Sequence, residues 1–235
     1  MSRIANGETI MMDSGLSAAD GKVLYPELLE HAADFIADYV QKRAAADSPT
    51  DPVQKTTSSH PFILSIDGRA GSGKTTLARL IWQKLDGAAL LHLDDFFLQP
   101  HQRTSQRLSA PGQNVDYERI IEEVLIPASR GEQISYHPFS CQTMSLQEAV
   151  NLGKPRILIL EGSYSMNEEL RKFADTSVFL TCSSPVQLER ILQRNGPEKL
   201  QDFINRWIPL EEQYFQTFDP AELCDFVFDV SGCSL

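Results

Sequence analysis

The residues from Gly68 to Thr75, GRAGSGKT, have the types and spacing needed to hold phosphate. They fit the pattern G-x-x-x-x-G-K-[ST], whose glycines let successive backbone N–H groups converge on phosphate oxygens with no side chain between them. Gly68, Arg69, Ala70, Gly71, Ser72, Gly73, Lys74, Thr75 and Thr76 form the expected triphosphate cradle. Lys74 would reach the β- and γ-phosphates, and the Thr75 hydroxyl would join the shell of a magnesium ion. Glu161 ends the apolar run ILILEG, where its carboxylate either faces Thr75 across magnesium or caps the next turn. The stretch LLHLDDFF delivers Asp94 and Asp95 to another strand end. A hydroxyl about to attack a γ-phosphate needs a carboxylate to orient it and take its proton. Asp94, first after the strand, is the expected base, so Asp94 and Lys74 are the catalytic pair. Asp95 falls to the turn, and Phe96 and Phe97 to walls of the acceptor site.

These residues need a scaffold that brings several strand ends level. Five apolar runs read as buried strands: PFILSID, AALLHLD, RILILEG, TSVFLTC and CDFVFDV. Helical patterns alternate with them in TTLARLIWQKL, YERIIEEVLIPASR, PVQLERILQRN and FINRWIPLEEQYFQTF. That alternation predicts an α/β protein with a parallel sheet of five strands covered on both faces, its ligands beyond the carboxyl ends of the strands. Upstream, Leu28, Leu29, Ala32, Phe35, Ile36, Tyr39 and Val40 recur at helical spacing. They predict one amphipathic helix that packs on the body or on a partner. The expected organisation is an N-terminal segment, 1–46, a Pro/Ser/Thr-rich linker, 47–60, and a main domain, 61–235.

Composition narrows the classes. The 235 residues carry a formal net charge of -11, against a broad basic surface for nucleic acid. No apolar run approaches the roughly 18 residues a membrane span needs, and MSRIANGETIMMDSG has no signal-peptide core. Cys141, Cys182, Cys224 and Cys233 lack the spacing of a zinc site or disulfide framework, which points to reduced thiols in the cytoplasm.

With GRAGSGKT, DDFF, NVDYERI, YHPFS, ILEG and ERILQRN in this order, followed by EEQYF, the chain resembles the uridine kinase and phosphoribulokinase family, most of all its uridine kinase branch. The resemblance spans about residues 60–232 and is closest at the phosphate loop and ILEG. It implies a three-layer P-loop NTPase fold and the use of ATP and Mg2+. It also implies that Asp94 is the base, Asp116 the binder of sugar hydroxyls, and Tyr136 an encloser of the nucleobase, with Phe97 beside them. Arg190 and Arg194 would clamp the triphosphate from a lid. They lie four apart on one helix face, which a solvated surface also explains, and Asn195-Gly196 follows as a hinge.

Three departures limit what the resemblance carries over. Cys141 stands where the family has a base-reading histidine, with His137 nearby as a substitute. The lid is short in arginine, so Arg206 either supplies charge or pairs with Glu211 or Glu212. Residues 1–60 have no counterpart in the family core. Arg103 and Arg107 either meet a phosphorylated acceptor or are solvated. The expectation is an ATP-dependent phosphotransferase acting on a hydroxyl of a small molecule, foremost a nucleoside. Pantothenate, a nicotinamide nucleoside, glycerate or a sugar phosphate are the other acceptors, and a nucleotide-binding switch or accessory ATPase is the alternative class. No nucleic-acid or membrane partner is expected, and a homo-oligomer stays open.

Overall fold

The computed structural model describes residues 16–19, 23–46 and 60–233. All but His60 of the expected linker, 47–60, therefore lies outside the described residues. Strands β1 (Leu16–Ala19) and β2 (Val23–Pro26) precede helix α1 (Leu29–Ala46). Then come β3 (Phe62–Gly68), α2 (Lys74–Lys84) and β4 (Ala88–His92), which runs straight into a 3-10 turn over Leu93–Phe96. Next are α3 (Ser105–Ser109), α4 (Tyr117–Ile120) and α5 (Ile126–Ser129). Two small antiparallel ladders follow, β5 (Ile134–Tyr136) with β8 (Val150–Gly153), and β6 (Phe139–Ser140) with β7 (Ser145–Leu146). The chain ends through β9 (Ile157–Glu161), α6 (Glu168–Arg171), β10 (Thr176–Thr181), α7 (Ser184–Asp202), α8 (Ile208–Phe218), α9 (Pro220–Leu223) and β11 (Phe226–Asp229).

The main sheet has the order β1-β2-β11-β10-β3-β9-β4. Its strands from β2 to β4 pair in parallel, and β1 joins the β2 edge antiparallel. The five expected strands are all present, but the expectation of five is corrected, because β1 and β2 extend the sheet from the N-terminal segment. Val23 and Leu24 pair with Val227 and Phe228. Four residues of VLYP are too few to show a period of their own, so the neighbouring β11 is what makes them a strand.

β3 and β9 are buried along their whole lengths, which explains their predominantly apolar sequences. On one sheet face, α1 and α2 close a core around Ile36, Leu64, Leu77, Ile159 and Phe228. On the other, α4, α5 and α8 enclose Leu91, Phe96, Ile120, Leu160 and Tyr214. The layers are thus helix, sheet, helix. α1 sets Phe35 and Tyr39 edge-on to Phe226, with centroids 5.2 and 4.9 Å away, and Asp34 pairs with Lys84 of α2 at 2.7 Å. Leu28, expected in the apolar stripe, precedes the helix and is 43% exposed.

Two expected helices are interrupted in the same way. A π-turn over Ile121–Leu125 separates α4 from α5, and another over Phe203–Trp207 separates α7 from α8. Pro127 and Pro209 sit at the starts of α5 and α8, where the missing N–H breaks the regular ladder and the wider turn absorbs it. Inside α7, Gly196 has φ 80 and ψ 171, so two helical stretches meet there at an angle.

Because Ile36 is fully buried between α1 and the sheet, Ile36→Ala should lower the unfolding free energy by about 2–5 kcal/mol. The measurement is the urea midpoint; a surface-like loss below about 0.5 kcal/mol would show that α1 is not part of the core.

Candidate active site

Parallel register brings the carboxyl ends of the central strands level. Ile66 of β3 pairs with Glu161 of β9, and Glu161 pairs with His92 of β4. Just beyond this line lie the phosphate loop, the ILEG turn and the Asp94 turn.

Asp67 anchors the loop. Fully buried, its carboxylate accepts hydrogen bonds from the N–H groups of Gly68 (2.7 Å), Tyr164 (3.0 Å) and Met166 (3.0 Å) and from the Tyr214 hydroxyl (2.9 Å). Burial pushes its carboxyl above the ordinary aspartate range, opposed by the Met166 amide, Lys74 and the other donors. Gly68 must be glycine: a Cβ there would sit 2.1 Å from the Leu180 carbonyl oxygen. Gly73, with φ 90, turns the chain into α2, which begins at Lys74.

Lys74 Nζ donates to the carbonyl oxygens of Gly68 (2.8 Å) and Arg69 (2.9 Å), so it is folded over the loop it would share with phosphate. The Thr75 hydroxyl donates to Glu161, 3.1 and 3.3 Å from its two carboxylate oxygens. On its far side Glu161 meets His92 Nδ1, and that bond, ahead of the opposing desolvation, raises the imidazole pKa. A hydroxyl and a carboxylate side by side suit magnesium, which takes few protein oxygens and fills its octahedron with water and phosphate. No group of three or more His, Cys, Asp or Glu among the described residues could hold a metal without such help.

These side chains line one cavity of about 940 Å³. Of the expected residues, Ala70, Gly71, Gly73, Lys74, Thr75, Thr76, Asp94, Phe97, Glu161, Arg190 and Arg194 line it. Asp94 makes no hydrogen bond within the described residues. Desolvation raises its pKa, with Glu161 adding to the effect and Lys74 opposing it. Arg190 donates to the carbonyl oxygens of Val230 (2.9 Å) and Cys233 (2.8 Å), and Arg194 Nε donates to Asn195 Oδ1 (2.7 Å).

The other expected residues lie elsewhere. Gly68, Arg69 and Ser72 belong to the loop but not to the cavity wall; Arg69 pairs with Glu212 and lies over the Phe215 ring at 5.0 Å. Two expected substrate residues lie off the cavity wall. Asp116 is buried as the cap of α4, accepting from Arg119 N (3.2 Å) and facing Arg119 Nε (3.3 Å). Tyr136 is buried in the core, stacked on Phe96 at 5.0 Å, with its hydroxyl donated to Asp95 (2.7 Å). Both side chains bond to protein partners, Asp116 to Arg119 three residues on and Tyr136 to Asp95 in a distant turn. His137 is half-exposed against Glu123, away from the cavity that Cys141 lines. Arg206 pairs with neither Glu211 nor Glu212 but lies over the Trp207 ring at 4.5 Å.

The sequence reading missed Glu211. It is buried at the cavity wall, and its carboxylate accepts from Ala70 N (2.7 Å), Gln187 Nε2 (3.2 Å) and Ser163 Oγ (3.3 Å). Desolvation raises its pKa, against Lys74 and the Ala70 amide. The pair Glu211-Glu212 after a proline was the only signal, and it does not say which acid turns inward.

No family model matches the chain. Among curated proteins it is 28% identical over 151 residues to uridine-cytidine kinase B of Dictyostelium discoideum, covering 60% of this chain and 61% of that protein. It is 24% identical over 174 residues to the uridine kinase of Anoxybacillus flavithermus, covering 66% and 81%. The structure of a possible uridine kinase from Bacillus stearothermophilus superposes with a TM-score of 0.61 at 23% identity, over 86% of this chain and 99% of that one. D-glycerate 3-kinase from Cryptococcus neoformans gives 0.57 at 17% identity, over 85% and 96%. The fold is that of P-loop kinases, and the chain is uridine kinase-like in sequence.

Removing the Glu211 carboxylate leaves the Ala70 N–H and the Gln187 amide without their acceptor. Glu211→Ala should cost about 2–4 kcal/mol of stability, and Glu211→Gln, which keeps an acceptor, less. Urea unfolding of both variants checks the order; equal stability of Glu211→Ala and the parent would remove this role.

Proposed function

We propose that this uridine kinase-like chain is an ATP- and Mg2+-dependent phosphotransferase that phosphorylates a hydroxyl of a small molecule, most specifically the 5′-hydroxyl of a nucleoside. The observation that carries it is the meeting of Asp94 with Lys74, Thr75 and Glu161 at one cavity beside the phosphate loop. A loop that only binds and releases nucleotide needs no carboxylate held ready for a proton at that place. The nucleoside rests on relatives that carry the name uridine kinase.

In this reading Lys74 exchanges its bonds to the Gly68 and Arg69 carbonyls for the β- and γ-phosphates. Thr75 and Glu161 would hold Mg2+, which would neutralise phosphate charge. Asp94 accepts the proton of the acceptor hydroxyl as that oxygen bonds to the γ-phosphorus. The bond from the γ-phosphorus to the β–γ bridging oxygen breaks, and ADP leaves. Arg194, at the break before Gly196, supplies positive charge to the transferring group.

A coupled ADP-release assay with ATP, Mg2+ and a panel of nucleosides, pantothenate, D-glycerate and sugar phosphates tests the activity. Release should rise above background hydrolysis with a nucleoside; no stimulation by any acceptor would support the switch instead. Asp94→Asn should keep ADP affinity and lose about 10²–10⁴ in kcat. Asp94 must be ionised to act and its pKa is raised, so kcat/KM should fall on acidification at a pH above the ordinary aspartate value of 3.8. A profile flat down to that value would remove Asp94 as the base.

A further inference from the structure

Asn114 contributes to the cavity wall yet is only 4% exposed, and its side-chain Nδ2 is buried with no partner among the described residues. A buried amide donor without an acceptor is costly and seldom kept without use. Two residues on, Asp116 is held by Arg119, which also donates to the Asp95 carbonyl oxygen at 3.2 Å and lies 4.5 Å over the Phe96 ring. Asp116 is therefore neutralised and fixed, and Asn114 is the polar group that this segment presents to the cavity.

The nearby cations are also engaged. Arg107 grips Glu118 through two bonds of 2.9 and 2.7 Å and donates to the Val115 carbonyl at 3.1 Å. Arg103 donates to the Leu98 carbonyl at 2.8 Å and lies over the Phe139 ring at 5.5 Å. Arg107 is thus spent on Glu118, whereas Arg103, whose Nη2 reaches Cys141 Sγ at 3.9 Å beside the cavity, is held by a carbonyl and a ring. Between these groups Phe97 and Val115, joined by a backbone bridge, give the cavity an apolar wall.

We propose that Asn114 is the specificity-determining residue of the acceptor side, donating Nδ2–H to an oxygen of a neutral ribonucleoside whose ring lies against Phe97 and Val115. This rests on the phosphotransferase reading and names the residue that selects its acceptor. A phosphorylated sugar would bring charge for which this side offers only Arg103, already bonded to the Leu98 carbonyl.

Binding tests it without turnover. Trp207 lines the cavity, and the chain has only Trp82 besides, so Trp82→Phe leaves Trp207 as the sole fluorescent reporter. This protein is titrated with uridine, ribose 5-phosphate and ADP, and again with Asn114→Ala or the near-isosteric Asn114→Asp. Uridine should bind saturably and more tightly than ribose 5-phosphate, and both variants should weaken it about tenfold while still binding ADP. The proposal is overturned if uridine binds both variants as it binds the parent, if the parent prefers ribose 5-phosphate, or if the parent binds no uridine. Parallel loss of ADP and uridine in both variants would make Asn114 a structural residue and overturn it equally. The phosphotransferase reading fails separately, when ADP binds but no acceptor stimulates its release.

Discussion

The Asp67 carboxylate, sealed from water at the end of β3, joins parts of the chain that are far apart in sequence. Its two oxygens receive the first amide of the phosphate loop, two amides of the ILEG turn and the hydroxyl of Tyr214 on α8. Buried charge is tolerated only when hydrogen-bonded in this way. The result is that the loop, the strand end bearing Glu161 and the helix bearing Glu211 cannot shift independently. Tyr164, held at φ 75, has its amide fixed by the same carboxylate, so this uncommon backbone conformation is enforced from outside the turn.

Around that knot the charges are arranged by location, not by total. A chain of net charge -11 still gathers Lys74, Arg79, Arg190 and Arg194 at the cavity. Opposite them stand Asp94, Glu161 and Glu211. Lys74 rests on carbonyls and Thr75 on Glu161, so the groups that would meet phosphate and metal have exchangeable protein partners.

The phosphate loop and the five central strands were legible because their signals are local. A glycine pattern flanked by an apolar strand and a helix needs little tertiary information, and doubly covered strands carry continuous apolar sequence. Thr75 follows from the glycine pattern itself, and Asp94, Phe97 and Glu161 from position at or just past strand ends. That Asp116 and Tyr136 lie off the cavity wall was not legible, for the opposite reason. Whether Asp116 faces a cavity is decided by Arg119, and whether Tyr136 does is decided by Asp95 and the Phe96 ring. Glu211 was hidden because helical periodicity in FINRWIPLEEQYFQTF is reset by the π-turn before Pro209. Asn114 looked like part of a polar connection, and what separates it from its equally buried neighbour Asp116 is a place on the cavity wall and an amide with no partner among the described residues.

The parallel pairing of β2 with β11 has a consequence for any shortened form of the chain. β2 and α1 together screen one edge of the sheet and the rings of Phe226 and Phe228. Cutting at the start of the phosphate-loop region would strip that cover and leave β11 as an open, aromatic edge ready to pair with another molecule. The N-terminal segment, none of whose described residues joins the cavity wall, thus bears on the sheet edge, and a minimal piece would have to be chosen by that edge as much as by its motifs.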